Sequence, residues 1–100
     1  MSEPPADAET FLAATDTIAA LRPELNLLEA GILAGLHLGL ASDSRSFARI
    51  FGVEHALVLR AVEALAGEAL VTVTTRDQRT QRTRYAASPA ASAMLTALAA

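Results

Sequence analysis

The spacing of the apolar residues leaves the helical repeat between Gly67 and Val71 and returns to it only after Ser88, and that interruption limits the fold more than any other feature. Before it, apolar side chains recur three and four residues apart, the repeat of an amphipathic helix. Within it, Val71-Thr72-Val73-Thr74-Thr75 alternates in steps of two and is β-branched throughout, the pattern of a strand. Polar Arg76-Asp77-Gln78-Arg79 reads as a turn, and Thr80 to Ala86 as the returning strand. Several helices with a single two-stranded ribbon make a mainly α domain with a small β-hairpin.

The helical part divides at its caps and breakers. Residues 1–7 read as a disordered tail. From Ala8 to Arg22, Phe11, Ala14, Ile18 and Leu21 form one apolar stripe, stopped by Pro23. Asn26 with Glu29 three residues on has the form of a capping box, with Leu25 and Ala30 as a weak staple across it. The helix it opens carries Leu28, Ile32, Leu33 and Leu36 and ends near Gly39, and Gly31 and Gly35 on one face allow close approach of another helix. Asp43 is the expected N-cap of a short helix, Arg45 to Phe51, with Phe47, Ala48 and Phe51 inward and Gly52 as its breaker. Glu54 to Ala66 forms a further helix with Val58, Ala61, Val62 and Leu65 on one side. Ser88-Pro89 opens the last, Ala90 to Ala99, with Met94, Leu95 and Leu98 as its stripe. One hundred residues suit one domain. Residues 8–100 are expected to form it, with 25–87 as the core and 8–22 and 88–100 as outer helices.

Few chemistries are open to such a chain. There is no Cys, which removes disulfides, thiolate nucleophiles and Cys-based zinc sites. His37 and His55 alone do not argue for a metal site. No Ser-His-Asp order, Gly-rich phosphate loop or paired-carboxylate spacing stands out, so the expectation is a non-enzymatic protein without metal or cofactor. The N-terminal residues lack the basic and apolar regions of a signal peptide, and no apolar stretch reaches the roughly 18 residues of a bilayer span. A soluble, cytoplasmic bacterial protein is expected.

Charge points to a ligand. The formal net charge is −3, yet it is unevenly placed. Up to residue 35 there are six acids (Glu3, Asp7, Glu9, Asp16, Glu24, Glu29) against Arg22 alone; from residue 36 onward there are seven Arg against five acids. Arg76, Arg79, Arg82 and Arg84 crowd the hairpin. Net charge governs solubility, whereas a local basic patch decides whether phosphates dock.

The order of helix, helix, short helix, helix, hairpin, helix has the form of a helix-turn-helix with a wing and flanking N- and C-terminal helices. From about Leu25 to Ser88 it resembles the MarR type (multiple-antibiotic-resistance regulator) of bacterial winged-helix repressors. Phe47-Ala48-Arg49-Ile50-Phe51-Gly52-Val53 is similar to the family's Leu-Ala-x-x-Leu-Gly-Val segment, which forms the first helix and turn of the motif. Val58, Val62 and Leu65, then Leu70-Val71, match the apolar spacing of the recognition helix and following strand. Asp77-Gln78-Arg79 resembles the Asp-x-Arg of the wing, where the resemblance implies that Arg79 reaches the minor groove and Asp77 holds it. The chain departs from the family in having one short helix after the wing, and in carrying Leu57 where a phosphate-binding Ser or Thr is usual.

The resemblance implies a dimeric DNA-binding transcriptional regulator. Arg45, Ser46 and Arg49 would lie on the helix that crosses the backbone, and His55 and Arg60 on the helix in the major groove. Arg76, Arg79, Arg82 and Arg84 would lie on the wing. The outward face of the reading helix is expected to be Ala56, Leu59, Arg60 and Glu63, with His55 at its edge and Glu63 within helical reach of Arg60. Phe11, Ile18, Leu21, Met94, Leu95 and Leu98 are the expected homodimer contacts. The alternative is a winged helix used for protein–protein interaction, as a subunit or antagonist of another regulator. A cleft for a small-molecule effector is a third idea, for which the sequence nominates no ligand.

Overall fold

The computed structural model describes residues 6–98, arranged as α1 (Ala6–Leu21), α2 (Leu27–His37), α3 (Ser44–Phe51), α4 (His55–Gly67), β1 (Val71–Arg76), β2 (Thr83–Ala87) and α5 (Pro89–Leu98). The fold is mainly helical with one antiparallel two-stranded hairpin. Helix α1 begins at Ala6, two residues before the sequence placed it; the rest of the expected tail, residues 1–5, lies outside the described residues.

Helix α2 is the centre. Ala30 through Gly35 are all buried, which is the signature of a helix covered on every side. It starts where the capping box sets it: Asn26 Oδ1 accepts the Glu29 N–H at 2.8 Å, and Glu29 Oε1 accepts the Asn26 N–H at 2.9 Å. Helices α1 and α4 pack on α2, and α4 also carries α3 and β1. The inward face of α4 is Val58, Ala61, Val62 and Leu65, at the spacing of one helical stripe. Helix α5 leans on β2, and Ser88 joins the two, its N–H bonding Leu70 O at 3.0 Å and its Oγ capping the Ala91 N–H at 3.1 Å.

The glycines of α2 make room for rings carried by the neighbouring helices α1 and α3. A methyl group at Gly31 would lie 3.3 Å from the tip of Phe11 and 3.8 Å from that of Phe47; at Gly35 the nearest atom is Phe47 Cε2, 3.6 Å away. All three phenylalanines meet over this stripe. Phe51 stacks on Phe11 and tilts against Phe47, each pair with centroids 4.5 Å apart. One cluster thus binds α1, α2 and α3 and fixes the path of the α3–α4 turn.

That turn rests on Gly52, whose φ of +67° is left-handed and whose N–H bonds Ala48 O. The hairpin departs from the expected register. Thr80 and Gln81 belong to the turn, and β2 starts only at Thr83. Strand β1 contains a bulge: Val73 pairs with Tyr85 but Thr75 with Arg84, so Thr74 is an extra residue. Because side chains alternate between faces, this shift turns Arg76 onto the side of Thr83, towards α4.

These observations fix the sign of two glycine substitutions. Gly35→Ala meets only ordinary contact distances and is expected to stabilise by about 0.5–1 kcal/mol through helix propensity. Gly52→Ala is expected to destabilise by about 1–2 kcal/mol, the cost of a left-handed residue with a Cβ. Urea melts of the two variants against the parent protein measure both.

Candidate nucleic-acid interface

The segment before α3, the start of α4 and the hairpin meet at one hydroxyl. Ser44 is fully buried at the first position of α3. Its Oγ accepts the Thr83 N–H at 2.9 Å and lies 2.8 Å from His55 Nε2. The Thr83 N–H occupies one lone pair of the hydroxyl oxygen, and the imidazole tautomer sets which of Ser44 and His55 donates in the second bond. Beside it the backbone of Asp43 bridges that of Arg84, and the Tyr85 N–H bonds Ser42 O at 3.1 Å. Residues 42–43 therefore lie along β2 as a rudimentary third strand. The hydroxyl of this Ser-His pair is buried and accepts a backbone N–H.

Asp43 closes this junction. Its Oδ1 caps the Ser46 N–H at 2.9 Å and its Oδ2 accepts the Ser46 hydroxyl at 2.8 Å, while Arg82 Nε stands 3.5 Å away. Burial pushes the Asp43 carboxyl upward, but the Ser46 hydrogen bonds and the Arg82 guanidinium outweigh it and hold it below the usual aspartate value. His55 is pushed below its ordinary value, first by burial, then by the Arg45 guanidinium; Asp43 opposes the shift and Arg82 adds to it.

Geometry separates the nine residues assigned to DNA into two groups. Five are engaged inside the protein. Arg45 donates to Thr80 O at 2.8 Å and so ties α3 to the hairpin turn. Arg76 pairs with Glu63 of α4 at 2.8 Å, displacing the Arg60–Glu63 pairing that helical spacing allowed. Arg82 faces Asp43, Ser46 binds Asp43, and His55 binds Ser44. The Arg76–Glu63 pair is exposed on both sides, so it sets position more than stability. The other four, Arg49, Arg60, Arg79 and Arg84, are exposed and have no carboxylate partner among the described residues.

Asp77 does not hold the Arg79 side chain, as the resemblance implied. Its Oδ1 accepts the backbone N–H groups of Arg79 at 2.8 Å and Thr80 at 3.1 Å, and these bonds, Thr80 first, depress its carboxyl below the ordinary value. The aspartate shapes the turn and leaves the Arg79 guanidinium at its tip. On α4, Leu57 is exposed where Leu59 had been expected; Leu59 is half-buried.

The expected dimer contacts also need correction. Ile18 and Leu95 are 0% and 4% exposed and belong to the chain's own core, so neither is available to a partner. Phe11, Met94 and Leu98 are half-buried against that core, and Leu21 alone of the six is well exposed. The large apolar side chains that reach solvent from α1 and α2 are Leu12, Leu21 and Leu27. Leu12 and Leu27 flank an apolar groove of about 300 Å³ floored by Phe11, Leu28, Gly31, Phe51 and Val53. Among the described residues, no helix is long and apolar enough to cross a membrane, and no three His, Cys, Asp or Glu side chains gather as a metal site.

Sequence reasoning missed Ser44 and Thr83. The signal was present in Arg82-Thr83-Arg84-Tyr85: if the arginines face water, Thr83 faces inward, and a buried threonine backbone needs a partner across the fold.

The His55 bond predicts a pH dependence. A histidine whose folded value lies below its unfolded value of ~6.5 binds more protons when unfolded, so stability falls as pH drops below that value. Thermal midpoints are expected to decline from about pH 7 towards pH 5. His55→Gln, which keeps an acceptor but does not titrate, should flatten that part of the profile. No protein-family model matches the chain, and comparisons with curated proteins and with solved structures return no match either.

Proposed function

We propose that residues 25–87 form a winged helix-turn-helix domain of the kind the MarR resemblance implies, and that the chain is a transcriptional regulator that binds duplex DNA as a homodimer. In this reading α3 crosses the backbone, α4 enters the major groove and the hairpin is the wing. The observation that carries it is the division of the arginines. Arg45, Arg76 and Arg82 lock the hairpin to α3, α4 and their junction, while Arg49, Arg60, Arg79 and Arg84 extend from those same three elements without a carboxylate partner among the described residues. A rigid scaffold carrying unneutralised guanidiniums suits a ligand with spaced negative charges, and phosphates reward it by releasing counterions. Glu9, Asp16 and Glu24 lie on or next to α1, outside the three elements concerned, whereas exposed Glu54 at the start of α4 and Asp77 in the hairpin lie among them and offset part of their positive charge.

Fluorescence anisotropy with labelled duplex across a salt series tests the reading. The full-length protein should bind at micromolar concentration in low salt. Arg79→Ala and Arg84→Ala should each reduce the slope of log K against log salt by about one. Absence of binding at low salt overturns the proposal.

A second copy is the occupant proposed for the apolar patch of Leu12 and Leu27. Leu12 and Leu27 are 60% and 67% exposed beside a groove lined mainly by aromatic and aliphatic side chains with Thr15 and Asp16 at its edge, so one patch offers both knobs and a hole, which is what a two-fold contact requires. The same patch favours the rival reading of a protein-interaction module, and light scattering separates the two. The parent protein should be dimeric and Leu27→Glu monomeric with weakened duplex binding. A monomeric parent that co-purifies with another protein and retains no DNA would support the rival.

A further inference from the structure

The exposed residues of α4 are Ala56, Leu57, Arg60, Glu63, Ala64 and Gly67. Ala56, Arg60, Glu63 and Gly67 share one face of the helix, with Leu57 and Ala64 beside them. Only two of the six carry hydrogen-bonding side chains. Glu63 is committed to Arg76, a pairing that the bulge in β1 enforces by turning Arg76 towards α4. His55, at the first position of the helix, is half-buried and fixed through its Nε2 to Ser44. What remains at the centre of the exposed face is one guanidinium between apolar neighbours.

We infer that Arg60 is the one base-reading residue of α4, and that the domain selects a duplex with a single required guanine per half-site, flanked by thymines. This inference rests on the DNA-binding reading above and adds the class of sequence recognised. The chemistry follows from the groove. An arginine fork matches the O6 and N7 acceptors of guanine and no other base offers that pair. Leu57 is 43% exposed and, with Ala56, presents methyl groups; the only base-edge group in the major groove that favours such contact is the thymine methyl. Glu63 could accept from a cytosine amino group only while sharing its carboxylate with Arg76, whose Nη2 already donates to Oε2 at 2.8 Å from the hairpin side. Arg49, Arg79 and Arg84 lie off α4 on the crossing helix and the hairpin, and contribute affinity that is indifferent to base sequence.

The test is selection of the full-length protein against a randomised duplex, followed by binding measurements on the enriched sequence and its single-base variants. Enrichment of one guanine per half-site is expected, with replacement of that base weakening binding about 5- to 100-fold. Arg60→Ala should abolish the discrimination while unenriched duplex is still bound. Arg60→Gln should move the preference from guanine to adenine, because a glutamine amide pairs with adenine N6 and N7. Arg84→Ala should lower affinity for every sequence equally and leave the guanine preference intact. A change of base preference cannot arise from a residue that acts only on folding, so the glutamine variant keeps the test decisive if the alanine variant is unstable. The inference is overturned if Arg60→Gln keeps the guanine preference, or if selection returns three or more required positions per half-site. Binding without any base preference overturns this inference alone; failure to bind any duplex overturns the DNA-binding reading with it.

Discussion

The hydroxyl of Ser44 is the point on which the geometry of this protein depends. It is held at the start of α3, takes the Thr83 N–H from the hairpin and shares a hydrogen bond with His55 at the start of α4. Backbone pairing of residues 42–43 with β2 joins the hairpin to the entry of α3, and the hydroxyl extends that junction to α4. Breaking any arm leaves a buried polar group without a partner, which costs about 1–3 kcal/mol. The angle between hairpin and helices is therefore fixed from within, and the arginines outside inherit that fixed frame.

A division of labour among like residues follows. The chain contains eight arginines and no lysine, and their roles are assigned by what lies opposite them. Arg22 pairs with Glu24 beside it and reaches Glu68 at the end of α4, so it closes the acidic end of the molecule. Arg45, Arg76 and Arg82 use the planar, many-donor guanidinium to bridge elements. The remaining four keep their donors outward. Density of basic residues in the sequence thus overstates the charge available to a ligand, and the pairing pattern corrects it.

The helices were legible in the sequence because their signals are local. The capping box at Asn26, the cap at Asp43 and the left-handed Gly52 each lie within a few residues of what they terminate. The stripe Val58, Ala61, Val62, Leu65 was also read as it stands. The hairpin register was not, since the bulge at Thr74 depends on pairing with a strand about ten residues away and leaves no mark in an alternating run of valine and threonine. The burial of Ile18 and Leu95 was hidden for a related reason. An amphipathic stripe shows that a face is covered but not by what, and here α1 and α5 cover the domain that contains them. Among the candidate site residues, the sequence located the basic ones and could not say which were already engaged.

The extra residue in β1 has a wider bearing. It decides whether the cation at position 76 braces the ribbon against α4 or looks outward with its neighbours, because one residue more or less reverses the face on which a strand side chain emerges. Insertion or loss of a single amino acid there would trade an anchored cation for an outward one without altering the composition of the ribbon's tip. Related chains that differ only in the length of this strand would then differ in the charge their hairpins present while looking nearly identical residue by residue.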